Sequence, residues 1–146
     1  YSGNGNKNEW GLQLGNILSV MMNGEFSVIS KQYDRACHLE YAGGITAHGH
    51  AEVDKFWMAL RASFPNAKFS IEHQIGIFDP FMSPRAAIRW TLNGTHEGWG
   101  VFGAPTNAPV SIMGITHAEF GPYGLRREYT LYDEVAVWMQ ILKHTG

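Results

Sequence analysis

The sequence is poor in cysteine, in charge and in long apolar runs, and each shortage narrows what it can be. Its one cysteine, Cys37, excludes an internal disulfide and any cysteine-based zinc or iron–sulfur framework. A lone thiol favours a reducing, cytoplasmic setting. Charged residues are 16% of the 146, too few for a disordered or solvating acidic chain. Eleven basic residues against thirteen acidic give a net charge of −2, and no basic run exceeds Arg126-Arg127. Nucleic acid is therefore not an expected partner. No apolar run approaches the ~20 residues that a membrane helix needs, so no membrane partner is expected either. A Gly-rich phosphate loop, a G-x-S-x-G elbow and an H-E-x-x-H pair are all missing.

What is present is apolar and turn-rich: 45% hydrophobic residues, seventeen glycines and five tryptophans. The length predicts one domain over 1–146, with a loose polar lead-in at 1–9. The sequence starts at Tyr1 rather than Met, which leaves an upstream segment, a secretion signal included, open. Asn93-Gly94-Thr95 fits a glycosylation acceptor, relevant only to a secreted protein.

Leu14, Ile17, Leu18 and Met21 recur at helical spacing up to the stop at Asn23-Gly24, and a short helix is expected over Glu25 to Gln32. Cys37 to Tyr41 reads as a strand. The spacing of Val53, Phe56, Trp57, Leu60 and Phe64 predicts a helix from His50 to Phe64, ended by Pro65. Beyond it the period falls to 2, predicting strands over Phe69–Ile77, Ala86–Asn93, His96–Phe102, Val110–Phe120 and Leu125–Asp133. Val135 to Leu142 reads as a short helix or terminal strand. Helices followed by hairpin-linked strands indicate an α+β domain, its helices covering one concave face of a curved antiparallel sheet.

His48 and His50, in a Gly/Ala/Thr loop, read as a solvated turn, and no metal is expected. His73 stands between Ile71 and Ile75 on the apolar face of its strand, as a core histidine or a polar group aimed into a cavity. His38 with Glu40, His117 with Glu119, and Glu128 with Thr130 and Tyr132 each share a strand face. If these faces converge, they form a cavity with carboxylates, imidazoles and aromatic walls, suited to general acid/base work. Arg89 is read as half of a structural ion pair, with Glu128 or Asp133 as partner.

Arg89-Trp90-Thr91-Leu92-x-Gly94-Thr95-His96-x-Gly98 and the turn Gly103-x-Pro105-Thr106 resemble the SnoaL-like polyketide cyclases of the nuclear transport factor 2-like superfamily. Arg127-Glu128-Tyr129-Thr130-Leu131-Tyr132-Asp133 with Gln140, and Gly49 before the Phe56-Trp57 helix, extend the resemblance to about residues 15–142. It implies a cone-shaped α+β fold with an internal apolar pocket, homodimers through the outer sheet face, and aldol ring closure without metal or organic cofactor. The family's acid/base Asp falls at Thr130 here, and Glu128, two residues earlier on the same face, offers a carboxylate instead.

His96 and His117 match pocket-histidine positions as proton donor or enolate stabiliser. His38 and Glu40 stand second as acid/base groups, and His73, Tyr41, Trp90, Trp99, Thr130 and Tyr132 are expected around the pocket. Limonene-epoxide hydrolases share the fold, but their Arg-x-Asp pair reads Arg89-Trp90-Thr91 here. Ketosteroid isomerases correspond only loosely, through Glu40. The expected ligand is a small apolar, oxygenated compound; a non-catalytic ligand-binding or dimeric interaction domain is the alternative.

Overall fold

The computed structural model describes residues 9–146; the expected lead-in otherwise lies outside the described residues, and Glu9 already begins a helix. In chain order the elements are α1 (Glu9–Met22), α2 (Val28–Gln32), β1 (Tyr33–Tyr41), β2 (Ile45–His48), α3 (His50–Ser63), β3 (Lys68–Ile77), β4 (Arg85–Thr95), β5 (Pro109–Gly121), β6 (Gly124–Tyr132) and α4 (Glu134–Thr145). The six strands form one sheet in the order β2-β1-β6-β5-β4-β3. Only the β1–β6 pair is parallel.

The core lies between the inner sheet face and the helices. Leu14, Ile17, Leu18 and Met21 of α1 and Val53, Trp57 and Leu60 of α3 are all buried there, as their spacing requires. On β4 and β5 strict alternation sends Ile88, Trp90, Leu92, Ile112 and Thr116 inward and Arg89, Met113, Ile115 and His117 outward. Trp90 lies flat across β5 at its Cα partner Gly114. A Cβ there would stand 2.1 Å from the indole, so only glycine leaves room for that ring.

Three sequence expectations change, and one open alternative is settled. The stretch read as a strand from His96 to Phe102 is a loop, and Gly94 continues β4 instead of ending it. The loop's Gly98 and Gly100 press against the end of α3, where a Cβ would meet Ala62 O at 1.9 Å and Ser63 Oγ at 2.3 Å. Its backbone is committed to that helix, through Gly98 N–H to Ser63 O and Val101 N–H to Ser63 Oγ, so it has no sheet partner. A short edge strand, β2, follows Gly43-Gly44 where none was expected. The C-terminal segment is a helix, started by Asp133, whose carboxylate accepts the Ala136 N–H at 3.0 Å.

The third change is parity on β3. Between Ile71 and His73 the register with β4 slips by one residue at Glu72. Before the slip Ile71 pairs Trp90 and faces in; after it His73 pairs outward-facing Arg89. His73 is accordingly exposed, and Gln74 and Gly76 take the inner side.

Candidate functional site

The centre of the inner face holds one buried carboxylate. Glu128 on β6 is 0% exposed, and no arginine, lysine or histidine pairs with it among the described residues. Four neutral donors surround it. Tyr33 and Tyr41, from opposite ends of β1, give their hydroxyls to Oε1, Tyr41 at 3.3 Å. Trp57 Nε1 of α3 and Thr130 Oγ1 give theirs to Oε2, at 3.2 and 2.6 Å. Burial pushes the Glu128 carboxyl above its ordinary value, and these hydrogen bonds only partly oppose the shift. The same burial, with the Glu128 charge beside them, holds both tyrosines well above the ordinary phenol range.

Thr130 extends the network. Its Oγ1 stands 2.9 Å from Thr116 Oγ1, which accepts the Trp90 indole N–H at 3.0 Å. Thr130 gives its proton to Glu128, so Thr116 must give its own to Thr130. The result is a directed chain, Trp90 to Thr116 to Thr130 to Glu128, with every hydrogen pointing toward the carboxylate.

A hollow of about 200 Å³ lies next to this network. Tyr41, Phe56 and Tyr132 wall it, Ala47 and Ala59 keep it apolar, and Glu52, Lys55 and Glu134 also line it. Phe56 stacks on Tyr41 with ring centroids 3.9 Å apart and planes within 10°. Tyr41 therefore belongs to both places: it lines the hollow and its hydroxyl reaches Glu128.

Several expected site residues stand elsewhere. His117 is on the outer face of β5, because alternation there is unbroken and Thr116 takes the inward position. His38 and Glu40 likewise face outward on β1. There His38 Nδ1 lies 3.0 Å from His48 Nε2, His38 Nε2 lies 3.3 Å from Glu40 Oε1, and Thr46 Oγ1 donates to Glu40 Oε2 at 2.6 Å. The Thr46 bond foremost, with a smaller contribution from His38, holds the Glu40 carboxyl below its ordinary value.

His96 is buried but serves the loop. Its Nδ1 stands 2.9 Å from Thr106 Oγ1, its backbone N–H and C=O bond Ala108 and Asn107, and Phe64 and Phe102 pack on its ring. Burial pushes the imidazole down, toward the neutral form, and no hydrogen bond joins it to Glu128. Trp99 is 71% exposed on the same loop. Trp90 is core, and Thr130 and Tyr132 do face inward. Arg89 is exposed and forms no ion pair among the described residues, while Asp133 caps α4.

The sequence reading missed Tyr33, Trp57 and Thr116 as partners of Glu128. Tyr33 is buried with Cys37, Leu39 and Tyr41 of β1, but Arg35 between them is exposed and the pairing with β6 shifts between Tyr33 and His38. Polar Asp34-Arg35 hid the start of the strand. Trp57 reads as helix stripe, and nothing in a stripe tells that an indole N–H will need an acceptor.

Similarity to known proteins agrees with this architecture. A SnoaL-like polyketide cyclase structure from a Jannaschia species, itself a proposed assignment, superposes with a TM-score of 0.72 at 14% identity, covering 90% of this chain and 92% of that one. IdmH from Streptomyces antibioticus, a proposed polyketide cyclase, gives 0.72 at 14% identity over 88% and 94% of the two chains. A proposed polyketide cyclase from Acidithiobacillus ferrooxidans gives 0.69 at 20% identity over 88% and 94%. A comparison with curated proteins finds no match. The family model for SnoaL-like polyketide cyclase matches residues 15–141, and together with the nuclear transport factor 2-like fold it places this chain in the SnoaL-like polyketide cyclase family.

Proposed function

We propose that this chain binds a small apolar, oxygenated compound in the hollow beside Tyr41. There it carries out cofactor-independent acid/base chemistry next to a carbonyl, as cyclisation or isomerisation. The observation that carries this reading is the Tyr41 hydroxyl, which joins the wall of the hollow to a buried carboxylate. Glu128 cannot touch a ligand itself, so the proton passes through Tyr41. As the Tyr41 oxygen takes a proton from the carbon next to the carbonyl, its own proton moves to Glu128, leaving an enolate and a neutral carboxyl. In a ring closure the enolate carbon attacks a second carbonyl, and the resulting alkoxide takes the proton back along the same path. The upward shift makes Glu128 a stronger base than a solvated carboxylate, which favours its taking this proton. Three of its four partners are hydroxyls, which accept as well as donate, so a protonated Glu128 also finds an acceptor.

The test is deuterium uptake next to the carbonyl of small di- and triketones in D2O, followed by NMR. Tyr41→Phe keeps the ring and its stacking on Phe56, and is expected to lose the uptake that the unaltered chain shows. Uptake that persists in Tyr41→Phe overturns the relay.

A second reading, a ligand-binding domain without catalysis, is supported by Thr130 at the family's Asp position and by the full set of donors on Glu128. It requires ligands that raise Tm equally in the unaltered chain and in Tyr41→Phe, with no deuterium uptake in either. We further propose a homodimer through the outer sheet face, where Met113, Ile115, Tyr129 and Leu131 stand 40–65% exposed.

A further inference from the structure

We propose that His38 and His48, on the outer face of β1 and the edge strand β2, are a chelating pair for a divalent ion of the Cu²⁺ or Ni²⁺ type, with Glu40 orienting the first ligand. The two histidines are direct Cα partners across the antiparallel pair, so their rings stand side by side on one face. Glu40 Oε1 lies 3.3 Å from His38 Nε2, and Thr46 fixes the other carboxylate oxygen at 2.6 Å. A carboxylate accepts only, so Nε2 of His38 carries the proton and Nδ1 presents a lone pair. That nitrogen lies 3.0 Å from His48 Nε2. A carboxylate behind a histidine, fixing its tautomer, is the outer-sphere arrangement that strengthens metal ligation.

Ring geometry lies between a linear hydrogen bond and ligation of one ion, so the two rings need little movement to converge. A linear N–H···N bond of this length would put the ring centroids about 5.3 Å apart. Two rings converging on one ion at ~2.1 Å would put them about 4.6 Å apart. The observed separation is 4.8 Å, with the planes at 74°. A nitrogen separation of 3.0 Å also corresponds to an angle at the ion of about 90°, which fits square-planar or octahedral ions better than tetrahedral zinc.

No third His, Cys, Asp or Glu joins the group among the described residues, so the other positions would fall to water or an added ligand. Arg127, the Cα partner of His38 on β6, directs its guanidinium toward Glu119, at 3.8 Å. Binding needs His48 to carry its proton on Nδ1 instead of Nε2. Water mediates that exchange, and no net proton is released.

The experiment is calorimetric titration of the whole chain with NiCl2, with Cu²⁺ EPR as a second readout. One saturable site per chain is expected, lost in His38→Gln and in His48→Gln and unchanged in His117→Gln. Glu40→Gln should weaken it roughly 10–100-fold. The Cu²⁺ spectrum should show coupling to two imidazole nitrogens, reduced in either histidine variant. His48 is exposed on an edge strand, so His48→Gln remains informative even if His38→Gln folds poorly. Absence of saturable uptake, or uptake that survives His48→Gln, overturns the assignment.

Discussion

At the scale of single residues the molecule turns on a carboxylate enclosed without a counter-ion. Glu128 is held by four neutral donors, and burial outweighs them in setting its protonation. The folded chain therefore binds this proton more tightly than the unfolded one. That contribution to stability is complete below the unfolded carboxyl value, near 4.5, and is lost as the pH rises through the higher folded value. Glu128→Gln removes the titration. Its amide would turn its oxygen toward Trp57, the one donor that cannot reverse, and its NH2 toward the tyrosine oxygens. Thermal melts between pH 4 and 8 are expected to show the Gln variant gaining on the unaltered chain as pH rises. A constant gap across that range would mean that Glu128 does not change its charge there.

At the scale of elements, what decided legibility was whether alternation ran unbroken. On β5, and on β6 from Arg127 onward, past the slip beside Arg126, it did, and the grouping of Glu128, Thr130 and Tyr132 on one face, with His117 beside Met113 and Ile115 on one face of β5, was readable from parity. Which of these faces met the helices was not, because each carries both apolar and polar residues. On β3 the bulge at Glu72 reversed the parity beyond it, and no local signal marks that slip: Ile71, His73, Ile75 and Ile77 alternate on paper as one face. The 96–102 loop was misread for a different reason. Its glycines answer to a close approach by α3, a tertiary demand that a strand pattern does not encode.

Asp133 illustrates the same gap at a helix start. It reads as an ion-pair partner and is an N-cap. Asp133→Ala is expected to cost about 1 kcal/mol in denaturant unfolding, with most of it restored by Asp133→Ser. Arg89→Ala should leave stability within about 0.5 kcal/mol. A large loss on removing Arg89 would revive the ion pair.

At the scale of the whole molecule the sheet has two unlike faces. The inner one closes over the Glu128 network; the outer one leaves Ile115 and Leu131 side by side on β5 and β6 and largely open to water. A second copy of the chain covering that face would remove the exposure. Leu131→Arg, which places a charge at its middle, is expected to shift sedimentation from dimer to monomer without lowering the content of folded chain. A variant that sediments as the unaltered chain does would remove this face from consideration.

The directed chain of hydroxyls behind Glu128 also has a bearing on traffic through the molecule. Its far end is an indole N–H, which can neither receive a hydrogen from a neighbour nor pass its own along. That branch is a cul-de-sac: it anchors the carboxylate but offers no exit. In the proposed relay a proton therefore reaches or leaves Glu128 by the tyrosine side, and of the two tyrosines Tyr41 is the one that lines the hollow. The proposed relay therefore runs through one phenol, and Tyr41→Phe closes it.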